Sequence, residues 1–399
     1  MTTSDALRYS RIQLTHGSGA IPVVGFGTLI PDHVVTKQAT KTALGVGFRH
    51  LDCAERYGNE EAVGDAMRES FEAGTLQREE LFVTTKLWNS NHRPERVRPA
   101  FDASRRRLQV DHVDCYLIHT PFAFQPGDDQ DPRDDRGQVI YDPGVTLVDT
   151  WRALERLVDD GACRSIGLSD ISLDKLREIV AVARIKPAVV EVESHPYLPE
   201  WELLDFCREQ GIVLLAFAPL GHSMEPKIVD DPVITAIAKQ VHMSPAQVVL
   251  SWAAQRGTAF LTTSTKPQRI QENFEVSILP EDAMRDIRDR ISANVRFNAV
   301  VKSGVPGFIP GPSEPKSAAR TRIGERAGQF FKSRGLRGSL LSVLRPLPPV
   351  TTPWRARHLR SEGQPHTSGR AAAAWQGSRL RSSTERARAS KAHRLPLDR

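Results

Sequence analysis

Strand-length apolar runs that alternate eight times with helix-length amphipathic stretches, between residues 23 and 274, predict an α/β fold whose parallel strands are buried on both faces. Eight strand–helix pairs fit one closed sheet, a (β/α)8 TIM barrel. Two observations define its ends. A turn containing Gly17 and Gly19 between short β segments predicts an N-terminal β-hairpin. After residue 310 the periodicity stops and Pro, Gly, Ser, Ala and Arg dominate, which reads as a disordered basic tail. The expected organisation is a barrel over residues 1–310 and a low-complexity, Arg-rich tail over 311–399.

The elements follow in order. The hairpin occupies 12–24, and the first barrel strand 23–28 leads into a helix over 32–46. Next come strand 49–54, helix 60–73, strand 81–87, helix 94–108 and strand 113–119. Residues 122–142 break the rhythm with clustered acids and turn formers, and a loop this long in a compact domain is functional or unstructured. The alternation resumes with helix 145–160, strand 165–170, helix 172–183, strand 188–194, helix 200–210 and strand 213–220. Helices at 232–241 and 245–256, strand 259–264 and helix 267–274 complete the count.

With 399 residues, 40% of them apolar, the chain can bury a large core. Its net charge of +6 averages two unlike regions, because residues 301–399 hold 20 of the 54 Lys and Arg but 5 of the 48 Asp and Glu. The barrel region is acidic and the tail basic. Such a tail attracts phosphate nonspecifically, and we read it as a solvated extension without a functional nucleic-acid partner. Its excess of Arg over Lys also suits a shifted reading frame or an unselected extension. Cys53, Cys115, Cys163 and Cys207 lack metal-ligand spacing and read as buried thiols of a reducing compartment. The N-terminus lacks the basic start and apolar core of a signal peptide, and no apolar run reaches membrane-spanning length, so a cytoplasmic location with no membrane partner is expected.

Four residues carry the candidate chemistry. Asp52 ends the second barrel strand, Tyr57 lies in the loop after it, Lys86 ends the third strand and His119 the fourth. Singly, the first three have ordinary structural readings: a helix-capping or strand-end carboxylate, a packed aromatic and a solvated surface charge. Together at the carboxyl ends of adjacent strands they form a set that a carbonyl reductase needs. A tyrosine with an ordinary pKa of about 10 is a poor acid at neutral pH, so it needs a cation nearby. Lys86 can be that cation, with Asp52 as its ion-pair partner.

The segments LDCAERYGNE (51–60), TTKLW (84–88) and LIHTP (117–121) resemble those of the aldo-keto reductases, and the likeness extends over residues 12–310. The resemblance implies reduction of an aldehyde or ketone to an alcohol, and the reverse, by hydride from nicotinamide C4. Tyr57 would be the general acid with its pKa lowered by Lys86, Asp52 would fix Lys86, and His119 would orient the carbonyl. The hairpin would close the bottom of the barrel; residues 122–142 and 296–310 would wall the substrate pocket.

The same resemblance assigns cofactor contacts to Ser169, Asp170, Glu191, Phe217 and Leu220 around the nicotinamide, and to Ser264, Arg269, Glu272 and Asn273 around the adenosine phosphate. Asp170 and Glu191 stand where Asn and Gln are usual. Ionised, they would favour the oxidised cofactor; crowding could instead leave one of them neutral and amide-like. Arg269 favours NADP(H) over NAD(H), although Thr263 replaces the usual lysine. Leu29, Trp88 and Thr120 would contact a small carbonyl or alcohol substrate, in a pocket wider or less aromatic than usual. A monomer is expected, with no metal. A metal-dependent barrel hydrolase would want His-x-His on its first strand, which the sequence lacks. The remaining rival is a non-catalytic, cofactor-sensing barrel similar to the potassium-channel β subunits, which turnover of an aldehyde with NADPH separates from an enzyme.

Overall fold

A computed structural model describes residues 7–298 except Ser18. The tail over 311–399, and the pocket-lining role expected of 299–310, lie outside the described residues. A hairpin of β1 (Arg11–Gln13) and β2 (Ala20–Pro22) precedes the barrel. Then come β3 (Val24–Gly27), α1 (His33–Val46), β4 (His50–Asp52), α2 (Glu60–Glu72), β5 (Phe82–Leu87), α3 (Pro94–Leu108) and β6 (Cys115–Ile118). The second half holds α4 (Leu147–Asp159), β7 (Ile166–Ser169), α5 (Leu173–Val182), β8 (Val189–Glu193), α6 (Trp201–Gln210) and β9 (Val213–Phe217). It ends with α7 (Pro232–Val241), α8 (Pro245–Gln255), β10 (Ala259–Thr262), α9 (Pro267–Phe274) and α10 (Glu281–Arg290).

Strands β3 to β10 close into a parallel barrel in which β10 pairs with both β3 and β9. Every strand is an apolar run because each has an inner and an outer buried face. Outward side chains such as Leu51, Val83, Tyr116, Val190 and Phe260 pack under the helices in the main core. Inward ones, among them Phe82, Cys115, Leu117, Val189, Leu215 and Leu261, form a second cluster inside the barrel, and Leu14 and Ile21 of the hairpin join it. The hairpin therefore plugs the amino end of the barrel, leaving the carboxyl ends of the strands as its open mouth.

The interior is tight enough to demand small residues. A Cβ on Gly167 would stand 2.2 Å from the Val189 carbonyl oxygen and 2.7 Å from Leu117 Cδ2. A Cβ on Gly25 would meet His50 Nδ1 at 2.7 Å. Helix starts are capped by the expected residue types, as at Asp32, Ser172 and the reciprocal Thr146–Asp149 and Ser244–Gln247 boxes. The sequence did not announce α10, whose ten residues include seven charges on an otherwise amphipathic helix. The expected strand over 213–220 stops at Phe217, because Ala218 turns to a φ of 50°. The four cysteines are buried and unpaired, and no described helix is long and apolar enough to cross a membrane.

Candidate active site

The period of two along each strand decides which groups reach the mouth. In β5, Phe82, Thr84 and Lys86 alternate inward, so Lys86 comes to lie one layer above the Thr84–His50 contact of 3.0 Å. Its ammonium donates to both Asp52 oxygens at 2.6 Å, to the Cys53 carbonyl at 3.1 Å and to the Tyr57 hydroxyl at 3.1 Å. Lys86 is fully buried. Burial works against its charge, yet Asp52, Glu191 and Tyr57 hold its pKa well above the ordinary lysine value.

Tyr57 ends a short 3₁₀ turn, Glu55–Tyr57, closed by Gly58 in the left-handed region. That turn is tied to β5 through Glu55, which accepts from the Trp88 N–H at 3.3 Å and the Asn91 amide at 2.9 Å. Asn59 pins the other side, donating to the Thr28 and Ile30 carbonyls at 2.7 and 3.0 Å. The His119 ring meets Tyr57 edge to face at 5.7 Å and Trp88 at 5.1 Å. Burial, Lys86 and Arg56 push its pKa well down, so the imidazole is neutral at physiological pH and keeps one N–H to donate. Its Nδ1 has no protein partner among the described residues.

One electrostatic expectation is corrected. Lys86 does pull the Tyr57 pKa down, but burial outweighs it, and Asp52 and Glu191 add to the rise. The net shift is upward because desolvation of the buried phenol is the largest effect, and the two carboxyl groups offset part of the cation's pull. The phenol is held protonated at neutral pH.

The residues expected to contact nicotinamide lie at the carboxyl ends of β7 to β9. Ser169 and Asp170 end β7, Glu191 is inward on β8, and Phe217 is half-buried at the end of β9. Leu220 packs on the main core beyond it. Of the two alternatives for Asp170 and Glu191, ionised or held neutral by crowding, the burial of both carboxyls favours the second. Burial pushes the Asp170 pKa up to about 7, against the Asn298 amide, which donates to both carboxyl oxygens at 3.0 and 3.2 Å. Burial and Asp52 push the Glu191 pKa well above the usual carboxylate value, although Lys86 pulls it down. Glu191 Oε2 is a buried oxygen with no partner among the described residues. An orphaned buried carboxyl oxygen beside the buried Ser169 suits the NH2 of a carboxamide, so these residues fit a nicotinamide.

In the segment expected to hold the adenosine phosphate, Ser264 accepts from the Lys266 N–H at 3.1 Å, and Arg269 and Glu272 lie exposed on α9 with Asn273 half-buried. Lys266 is the N-cap of α9 and is exposed, a cation close to Ser264 that motif matching alone passed over. Thr263 Oγ1 donates to the Gly27 carbonyl at 2.9 Å.

The substrate wall is mixed. Leu29 is 57% exposed, and Trp88 is half-buried with its indole N–H on the Gln130 carbonyl at 2.6 Å. Thr120 is buried with its hydroxyl on Asn89 Oδ1 at 2.8 Å, so it supports the wall from behind. The 122–142 loop is anchored by Phe122 and Phe124, which pack with Trp88 and Tyr141. Arg56 stacks on Trp88 and pairs with Asp131 of that loop. Three further participants lie far apart in sequence: Glu193 accepts from the Phe297 and Asn298 backbone N–H groups at 2.6 and 2.8 Å, fastening the last described segment to the end of β8.

The aldo/keto reductase family model matches residues 31–291. The chain belongs to this family. It is 40% identical over 295 residues to aldo-keto reductase family 1 member A1 of Sus scrofa, covering 71% of this chain and 90% of that protein. It is 42% identical over 303 residues to prostaglandin F synthase 1 of Bos taurus, covering 72% and 93%. Dihydrodiol dehydrogenase 3 of Bos taurus is 42% identical over 307 residues, covering 73% and 94%. The protein is accordingly an oxidoreductase that interconverts a carbonyl and an alcohol with a nicotinamide cofactor, and nothing favours the cofactor-sensing rival.

Proposed function

We propose that this chain reduces an aldehyde or ketone with NADPH, using Tyr57 as the proton donor. The observation that carries this reading is the Lys86 ammonium bridging the Asp52 carboxylate and the Tyr57 hydroxyl, with the neutral His119 beside the phenol. Bound reduced nicotinamide supplies the hydride from C4. Tyr57 gives its proton to the carbonyl oxygen as negative charge develops there, and the His119 N–H donates to the same oxygen and orients it. Lys86 steadies the phenolate that forms, and Asp52 holds the ammonium in place. In the reverse direction the phenolate takes the alcohol proton.

Ser169, Asp170 and Glu191 would hold the carboxamide, Phe217 and Leu220 the ring face, and Ser264, Arg269, Glu272 and Asn273 the adenosine phosphate. Arg269, with Lys266 beside Ser264, supports NADP(H) over NAD(H), because only a 2′-phosphate gives two cations a dianion to bind. Leu29 and Trp88 make an apolar pocket rim for an uncharged substrate. We place the catalytic unit within residues 1–310.

The test is an aldehyde panel followed by NADPH absorbance, with Tyr57→Phe beside the wild type. The variant keeps the ring and loses the proton donor, so cofactor affinity should persist while kcat falls roughly 10²–10⁴-fold. Near wild-type kcat on a good aldehyde would remove Tyr57 from the mechanism.

A further inference from the structure

The mouth of the barrel contains more carboxyl groups than its lysine can balance. Lys86 Nζ has the Asp52 oxygens at 2.6 Å and Glu191 Oε1 at 3.4 Å, and the three residues are 0%, 2% and 3% exposed. They come from β5, β4 and β8, whose inward positions meet in one layer. Two ionised carboxylates and one ammonium would leave an uncompensated buried charge, which costs several kcal/mol in real proteins. Retaining one proton makes the cluster neutral. Asp52 already accepts two short bonds from the ammonium, so the proton belongs on Glu191, whose Oε2 has no acceptor duty to perform.

We propose that Glu191 is a neutral carboxylic acid at working pH, hydrogen-bonded to Asp52 beside Lys86, and that its ionisation sets the balance of affinity between oxidised and reduced nicotinamide. This rests on the carbonyl-reductase reading and gives it a specificity-determining residue. As an acid, Glu191 gives its single O–H to Asp52 and keeps its carbonyl oxygen to accept from the carboxamide NH2. As a carboxylate it could only accept, and it would place negative charge near a ring that is positive when oxidised and neutral when reduced.

The other titratable groups around Glu191 reinforce the neutral form. Tyr57 faces it from the loop after β4, Cys115 from β6 and Asp170 from the end of β7, while β9 opposes it with Leu215. Among these only Lys86 favours the charge, and Asp52 and Asp170 both oppose it. Asp170 is itself a second titrating carboxyl, so it must be silenced for Glu191 to be seen alone.

The experiment uses the full chain in an Asp170→Asn background, with and without Glu191→Gln. Dissociation constants of NADP⁺ and NADPH are measured by tryptophan fluorescence quenching across neutral and alkaline pH, and infrared spectra of the cofactor-free proteins are recorded over the same range. With Glu191 present, the ratio of the NADPH to the NADP⁺ dissociation constant should match that of the Gln variant at neutral pH. It should then rise by roughly 10- to 100-fold as pH increases, while the Gln variant stays flat. The carbonyl stretch of a buried protonated acid should be present at neutral pH, disappear over the same pH span, and be absent from the Gln variant. A ratio already ten-fold higher than in the Gln variant at neutral pH, identical pH profiles, or no acid band would overturn the proposal. If Glu191→Gln does not fold, the paired pH courses of ratio and band in the Glu191 protein decide alone. Loss of nicotinamide binding and turnover in every form would instead sink the carbonyl-reductase reading, and the infrared band would still report on Glu191.

Discussion

Single residues at the mouth are held in protonation states that their unfolded counterparts would not adopt, and this has a measurable cost. Asp170 is pushed up to about 7 by burial, whereas an unfolded aspartate titrates near 3.8. A carboxyl with a raised folded pKa stabilises the fold fully only below the unfolded value; that stability is lost as pH climbs from about 3.8 to about 7. Asp170→Asn removes the titration and keeps an acceptor for the Asn298 amide. The variant should therefore gain on the wild type as pH rises, by roughly 1–4 kcal/mol above pH 7, with the difference shrinking towards pH 4. Thermal melts of both proteins over that range check it, and a pH-independent difference would mean Asp170 does not titrate as described. Cofactor choice is also argued at single residues. Thr263→Lys sacrifices the bond to the Gly27 carbonyl but adds a cation beside Ser264, so NADPH should bind several-fold tighter and NADH unchanged. Equal changes in the two dissociation constants would place this segment away from the 2′-phosphate.

At the scale of elements, the barrel depends on positions where two strands leave no room for a side chain. Gly167→Ala would drive a methyl into the Val189 carbonyl and Leu117, prising β7 from β8 just below Ser169 and Glu191. Overpacking of this kind costs about 1–3 kcal/mol, and here it should also weaken cofactor binding, whereas Gly45→Ala, with open space around it in α1, should do neither. Denaturant melts with cofactor titrations make the comparison. Which face Lys86, Asp52 and Glu191 take was not readable in the sequence, because parallel strands buried on both faces read as continuous apolar runs. The positions of Asp52, Tyr57, Lys86 and His119 were legible because each ends or follows a strand-length apolar run and lies in a segment that resembles the family. Their charge states were not: the Tyr57 pKa is a sum over burial and three ionisable neighbours brought in from β4, β5 and β8. Equally hidden was the Asp170–Asn298 contact, which spans 128 positions and has no local pattern to announce it. Helix α10 was missed because its inward stripe, Ala283 and Ile287, is thin against seven charged residues.

For the whole molecule, the open question is where the working unit ends. Each of the eight barrel strands is paired on both sides, so the sheet needs nothing from the tail to close its edges. The tail's composition offers little apolar surface to offset the entropy of ordering it. Truncation after Pro310 should therefore leave the melting temperature and the NADPH-dependent rate nearly unchanged, while abolishing any salt-sensitive retention on nucleic acid that its positive charge causes. The residues just before it are a different matter. Phe297 is 3% exposed and stacks on His195 at 5.1 Å, and the 297 and 298 N–H groups satisfy the Glu193 carboxylate, itself fully buried. Those bonds, with His195, hold Glu193 below the usual carboxylate range although burial pulls the other way. Truncation after Val295 strips both donors, leaving a buried carboxylate short of partners, and also frees Asp170 from the Asn298 amide. Losing charge-assisted bonds of this kind costs about 1.5–3 kcal/mol each. The shorter protein should melt several degrees lower and bind nicotinamide more weakly, and the boundary between the two truncations should mark the end of the catalytic unit. A large loss of stability or rate on cutting after Pro310 would instead show that the basic segment is part of the enzyme.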